Sequence, residues 1–224
     1  MGALHAGHLS LLRRAKSEND LAVASVFVNP AQFNDKRDLA RYPRTLADDI
    51  EKLESEGTDF LLLPSVSDMY PDGYRYRLNE TADSAVLCGA HRPGHFEGVL
   101  TVVMKLLNLV RADRAYFGEK DYQQLHLIRG MAEAFFIGTK IVACPTLREP
   151  DGLAMSSRNL LLEPEHRKLA PALHKALRSS ARPAEIKKRL AALGFEPDYI
   201  EERWGRRFAA VKLGKVRLID NVKI

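Results

Sequence analysis

Cysteine is scarce in this chain: there are two in 224 residues, Cys88 and Cys144, 56 positions apart and in no CxxC or CxH spacing. That scarcity argues against a disulfide framework and against a zinc site, and predicts two buried thiols in a reducing compartment. Long hydrophobic runs are lacking as well. No apolar stretch approaches the roughly 20 residues of a membrane span, and no charged region precedes an apolar one at the N-terminus as in a signal peptide. A soluble, cytoplasmic protein without a membrane partner is therefore expected. Internal repeats and low-complexity tracts are missing too. The charge excess is small, 34 Lys+Arg against 29 Asp+Glu for a net +5, which suits anionic ligands but is too weak to argue for a nucleic-acid partner. What is abundant is ordinary globular material: hydrophobic residues make up 46% and charged residues 28%, enough to bury a sizeable core.

The pattern of that material predicts an α/β protein. Apolar spacing from Leu9 to Ala15 reads as a helix beginning near His8, and the run Leu21 to Val28 as a strand buried on both faces, as in parallel sheets. Helical spacing resumes after Thr45, a candidate N-cap, and stops at Gly57; residues 59–64 read as a second buried strand. A long apolar helix over 98–110, a strand over 114–117, a helix over 123–135 and a strand over 140–143 continue the alternation. Strands alternating with helices mean a doubly wound parallel-sheet domain, residues 1–147. Helices over 163–180 and 183–193, followed by short strands near 198–202, 208–212 and 215–219, predict a small α+β domain over 148–224. Its charge differs: 17 Lys/Arg stand against 10 Asp/Glu there, net +7, leaving 17 against 19, net −2, for the first part.

Three segments carry residues suited to phosphate chemistry. His5-Ala6-Gly7-His8 is an HxGH string at a loop-to-helix junction. Gly7 admits a close ligand, the helix start offers N–H groups, and two imidazoles can donate to phosphate oxygens where charge builds in a transition state. Phe117-Gly118-Glu119-Lys120-Asp121 follows a predicted strand and places a cation beyond its carboxyl end, where open α/β sheets bind ligands. Asp151 to Asn159 is a Gly- and Ser-containing loop with one arginine, able to fold over a triphosphate. Each has a plainer alternative: histidines lining a helix start, a solvated charge cluster, and a linker. Asp48 and Asp49 follow Thr45 on the predicted helix and are expected on its solvated face, although they could reach a phosphate-bound metal ion.

Taken together, HxGH and the later Met155-Ser156-Ser157-Arg158 resemble the paired nucleotide signatures of class I aminoacyl-tRNA synthetases and nucleotidylyltransferases. The longer strings Met1 to Ser10, Phe27-Val28-Asn29-Pro30-Ala31-Gln32-Phe33, Tyr42-Pro43-Arg44-Thr45, His91-Arg92-Pro93-Gly94-His95-Phe96, Phe117 to Leu125 and Arg217-Leu218-Ile219-Asp220-Asn221 resemble the pantothenate synthetase family, in order over essentially the whole chain. The resemblance implies a Rossmann-like ATP- and pantoate-binding domain with a small α+β lid. It also implies an ATP-dependent ligase joining pantoate to β-alanine through pantoyl adenylate, with Mg²⁺ carried mainly on the ATP oxygens and no dedicated protein metal ligands. By matching motif, His8 would be the principal catalytic donor, with His5 assisting on the phosphates and Lys120 set against them. The nucleotide would contact Met1, Gly2, Ala3, Leu4, Ala6, Gly7, Gly118, Glu119, Asp121, Leu147, Met155, Ser156, Ser157 and Arg158. Gln32 and Gln124 would hold pantoate, and Gln32 also β-alanine, because neutral amides both donate and accept.

The motif His91 to Phe96 reads as shaping the pocket wall rather than doing chemistry. Members of the resembled family carry a strand before the motif that this chain opens on, so a late start at Met1, a sheet lacking its first strand, and an unpaired edge on the 21–28 strand are expected. A homodimer is what the family implies. Another adenylyl-transferring enzyme on the same scaffold, or a nucleotide-binding remnant without catalysis, are the competing readings.

Overall fold

The computed structural model describes residues 2–224. Two compact units divide the chain: the first holds the residues up to Glu119 together with Gln123–Cys144, the second holds Lys120–Tyr122 together with Pro145–Ile224.

The first unit is α/β. Its elements in order are α1 (Ala6–Glu18), β1 (Val23–Ser25), α2 (Lys36–Arg41), α3 (Leu46–Ser55), β2 (Phe60–Leu62), α4 (Val66–Met69), α5 (Cys88–His91), α6 (His95–Val110), β3 (Arg114–Gly118), α7 (Tyr122–Ala134) and β4 (Lys140–Cys144). Parallel neighbours cannot be joined by hairpins and need a crossover. Here α2 and α3 lie between β1 and β2, which pair in parallel with Val23 opposite Phe60, and α7 lies between β3 and β4, which pair in parallel with Arg114 opposite Lys140. Leu4, Leu12, Ala22, Ala24 and Leu53 form a core around the start of the chain. Helix α6 buries Val99, Leu100, Val102, Val103 and Leu107, and ends at Arg111 in the left-handed region, where its N–H returns to the Leu107 carbonyl. Cys88 and Cys144 are buried, unbridged thiols. No helix among the described residues is long and apolar enough to cross a membrane.

The strand expected over residues 21–28 is only three residues long. Leu21 is 61% and Val23 42% exposed, so the run is not buried on both faces. An apolar run makes a strand only where a neighbour supplies the ladder. Among the described residues β1 has one neighbour, β2, and the ladder reaches no further than the bond from Val26 N–H to the Leu62 carbonyl, 3.0 Å. The parallel strands thus form two separate pairs, β1–β2 and β3–β4.

The second unit is α+β: α8 (Pro164–Leu169), α9 (Ala172–Leu177) and α10 (Pro183–Ala192) precede an antiparallel sheet of β5 (Glu196–Arg203), β6 (Arg206–Leu213) and β7 (Val216–Lys223), in that order. The single helix expected over 163–180 is broken at Ala170–Pro171, since proline has no N–H to continue the ladder and its ring crowds the preceding turn. Proline at the first position of α8 and of α10 fits the same rule from the other end. The strands run longer than expected because Trp204 and Gly205, at φ +48° and +66°, close a two-residue turn whose twist matches the hairpin. Leu173 and Leu177 of α9 and Ile186 and Leu190 of α10 bury against Ile200, Ala209, Val211, Leu213 and Leu218 of the sheet.

Candidate active site

Histidine is an unusual N-cap, yet His5 caps α1. Its backbone is extended and its Nδ1 accepts the Gly7 N–H at 3.1 Å, while the His5 N–H points at His8 Nδ1, 3.4 Å away. The two rings stack with centroids 3.9 Å apart. Since each Nδ1 accepts a backbone N–H, a neutral ring must carry its proton on Nε2, and that tautomer makes Nε2–H the donor of both imidazoles.

The loop ahead of this helix start is held by α3. Asp49 is 1% exposed, and its two carboxylate oxygens accept the N–H groups of Ala3, at 2.9 Å, and Leu4, at 2.7 Å. The Thr45 hydroxyl donates to the same carboxylate at 3.1 Å, and Lys52, one turn on, donates to the Leu4 carbonyl at 3.0 Å. Ala3 sits at φ +51°, a conformation that costs an L-residue roughly 1–2 kcal/mol; the charge-assisted bonds to Asp49 offset it. Asp49 is therefore not on a solvated face, contrary to the sequence expectation, whereas Asp48 beside it is exposed. Thr45 flanks the helix as expected but directs its hydroxyl to Asp49 rather than to a cap. Met1 lies outside the described residues.

Gln32 closes a short 3₁₀ turn, Pro30–Gln32, that Asn29 caps through its side chain. Asn29 is buried and fully engaged: Oδ1 accepts from Ala31 N–H and the Tyr70 hydroxyl, and Nδ2 donates to the Gly98 carbonyl and toward Gln32 Oε1. Burial, with a smaller push from Tyr74, raises the Tyr70 pKa to about 12, so this hydroxyl stays a donor at any ordinary pH. The Gln32 carbonyl accepts from His95 Nδ1 at 2.8 Å, and His95 Nε2 faces Arg92 Nη1 at 3.0 Å. The motif His91 to Phe96 thus pins the main chain of Gln32.

Helix α6 presses on the same turn through Gly98. A Cβ there would stand 2.3 Å from the Ala31 carbonyl oxygen and 2.7 Å from the Gln32 nitrogen, both main chain. Gly98→Ala is expected to lower stability by about 1–3 kcal/mol, read as a lower melting temperature; an unaltered melt would mean that the turn yields freely.

Of two adjacent glutamines on α7, the fold uses one. Gln123 is buried, accepting the Cys88 N–H and donating to the Asp83 and Val86 carbonyls. Gln124 is half-buried and makes no side-chain hydrogen bond among the described residues. Gly118 ends β3 and Glu119 follows it directly, and the Lys120 ammonium lies 3.6 Å from the Asp121 carboxylate.

In the second unit, residues 147–155 form a small hairpin: Met155 N–H bonds the Leu147 carbonyl at 3.0 Å, Glu149 N–H the Leu153 carbonyl at 2.8 Å, and Gly152 turns at φ +95°. Ser156 caps the 3₁₀ segment Ser157–Leu161 by accepting the Arg158 N–H. Ser157 is buried; Met155, Ser156 and Arg158 are half-exposed. Arg148, at the hairpin's base, makes a bidentate pair with Asp220, 2.7 and 2.9 Å, and His174 Nδ1 lies 3.2 Å from the same carboxylate. Burial pushes the Asp220 carboxyl upward, but the His174 ring beside it and the hydrogen bonds from Arg148 outweigh it and hold the pKa below the usual carboxylate range.

Among the described residues no three His, Cys, Asp or Glu side chains converge as a metal cage. Sequence reasoning missed Asp49, Asn29, Tyr70 and the Asp220 pair as anchors; only the clustering of Asn29 and Asp220 inside longer motif strings signalled them.

Comparison with known proteins gives one answer. The family model described as pantoate-beta-alanine ligase matches residues 1–223. A pantothenate synthetase of Bdellovibrio bacteriovorus is 57% identical over 224 residues, 100% of this chain and 89% of that protein. One from Legionella pneumophila is 53% identical over 221 residues, 99% and 88% of the two chains. Among solved structures, the pantoate-beta-alanine ligase of Francisella tularensis complexed with beta-gamma ATP and beta-alanine superposes with a TM-score of 0.95 at 45% identity, covering 100% of this chain and 87% of that one. Pantothenate synthetase from Thermus thermophilus matches at 0.93 and 44%, covering 100% and 90%.

Proposed function

This chain belongs to the pantoate-beta-alanine ligase family, and from that premise we propose how its residues carry out the ligation. The protein is an ATP-dependent ligase that forms a C–N bond between pantoate and β-alanine. The observation that carries this reading is the family match over residues 1–223.

In the first step a pantoate carboxylate oxygen attacks the α-phosphorus of ATP, the α–β bridging P–O bond breaks, and pyrophosphate leaves. Negative charge grows on the phosphate oxygens, and Nε2–H of His8, seconded by His5, donates to them. Gly2, Ala3, Leu4, Ala6 and Gly7 let the main chain approach the nucleotide, and the N–H groups opening α1 favour its charge. The Lys120 ammonium neutralises a phosphate, with Gly118, Glu119 and Asp121 around the nucleotide and Leu147 against the adenine. Met155, Ser156, Ser157 and Arg158 take the β- and γ-phosphates, the guanidinium in bidentate fashion.

In the second step the β-alanine amine attacks the acyl carbon of pantoyl adenylate, the C–O bond to AMP breaks, AMP departs, and the nitrogen loses a proton. Gln32 and Gln124 hold the pantoate hydroxyls and carboxylate without adding a competing charge, and Gln32 also orients β-alanine. The engagement of Gln123 by the fold and the unengaged amide of Gln124 support that choice. Magnesium belongs to this reading as the counter-ion of the ATP phosphates, because Mg²⁺ keeps several of its waters and binds through substrate phosphates with few protein carboxylates. We place the enzyme in the cytoplasm as a homodimer; Phe135 and Phe136 of the first unit, 56% and 95% exposed, are apolar surface that a second copy would cover.

With ATP, Mg²⁺, pantoate and β-alanine, AMP is expected to form only when both pantoate and β-alanine are present, in step with the amide product. AMP produced without both of them would mean a different adenylyl transfer, and no AMP at all would mean a chain that binds but does not catalyse.

A further inference from the structure

Along a β-strand successive side chains point to opposite faces, so adjacent buried polar residues need partners on both. Strand β7 carries such a pair: Asp220 is 4% and Asn221 2% exposed. A buried carboxylate and a buried carboxamide each cost free energy unless their hydrogen bonds are met, and both sets are. Asp220 holds Arg148 by two bonds, and Arg148 Nη1 also donates to the Gly152 carbonyl at 3.1 Å, which ties the hairpin of residues 147–155 to the sheet. Asn221 donates from Nδ2 to the Lys120 carbonyl at 3.0 Å, while its Oδ1 accepts Arg206 Nε at 2.6 Å, an arrangement that fixes the orientation of the amide. The Arg206 guanidinium in turn lies over the Tyr122 ring, 4.4 Å from its centroid, and Tyr122 packs against Phe208. Lys120–Tyr122 is therefore held by β6 and β7 at both ends, although in sequence it continues from β3.

We infer that Asp220 and Asn221 are the positioning pair of the nucleotide site: Asn221 sets the main chain from which Lys120 reaches, and Asp220 sets the base of the hairpin that leads into Met155–Arg158. Neither touches substrate; each acts through a residue that does. The inference rests on the proposed roles of Lys120 and Arg158 toward the ATP phosphates.

Two double-mutant cycles on the 224-residue chain test it. Asn221→Asp exchanges one NH₂ for O, so the bond to the Lys120 carbonyl is lost while Arg206 keeps an acceptor. Asn221→Asp is expected to lower kcat/KM for ATP by about tenfold, the worth of one such bond, with KM for β-alanine unmoved. In a Lys120→Ala background it should add less than about twofold, because residues acting in series are not additive. Asp220→Asn should show the same non-additivity with Arg158→Ala. Thermal melts accompany each variant, and Asn221→Ser replaces Asn221→Asp in the cycle if the latter does not accumulate folded. Equal factors in both backgrounds, or a β-alanine KM that rises in step with that for ATP, would overturn the pair as positioning residues. If Lys120→Ala and Arg158→Ala themselves leave ATP kinetics unchanged, the roles proposed for those two residues fall, and the inference with them.

Discussion

His8→Ala is expected to lower the rate of AMP formation by about 10²–10³, the cost of removing one preorganised donor from a developing oxyanion. The geometry makes this more than a motif argument. His8 Nδ1 is engaged by the His5 N–H, which puts the proton on Nε2, and the ring is stacked on His5 rather than left to rotate. A donor held in advance stabilises charge without reorganising at the moment of reaction, which is why its loss should fall on kcat more than on KM. His8→Gln, which can bring an N–H close to the Nε2 position, should recover part of the rate. Single-turnover measurement of pyrophosphate release isolates the step concerned; an unchanged rate in His8→Ala would remove the residue from that role.

Asp49→Ala should be the most damaging change outside the histidines. It leaves the Ala3 and Leu4 N–H groups buried without acceptors, and each charge-assisted bond of this kind is worth about 1.5–3 kcal/mol. It also removes what offsets the left-handed conformation of Ala3. A combined loss of about 3 kcal/mol or more would lower the melting temperature by roughly 6–12 °C for a chain of this size. Because the same loop leads into the His5 cap, kcat should fall by at least about tenfold even at temperatures where the variant is folded. Asp49→Asn, which keeps one acceptor, should lie between the two. A variant that melts early yet turns over normally would confine Asp49 to stability.

Much of the fold was legible because it depends on neighbours in sequence. The 3.6-residue spacing located α1, α3, α6 and α7 to within a few residues, and glycine at position 57 with φ +69° marks the exit from α3 as read. Pro171 breaks the helix read as continuous over residues 163–180, because its missing N–H ends the ladder between α8 and α9. Strand lengths were not legible: β1 stops at three residues because its ladder does, and β5 and β6 lengthen through a Trp-Gly turn that is not among the common hairpin pairs.

The sequence by itself determined the family, the ligation chemistry and the alternation of strands and helices, since motif strings and periodicity are local and survive without knowledge of what packs where. Only the tertiary structure decided which polar residues are anchors. Asp49 and Asp48 are neighbours of one type, as are Gln123 and Gln124, yet one of each pair is consumed by the fold, by partners 35–46 positions away. Asn221 meets Lys120 across 101 positions. A side chain's spacing shows which face of its own element it occupies, but whether that face is wet or buried depends on which distant backbone groups arrive there needing a hydrogen bond.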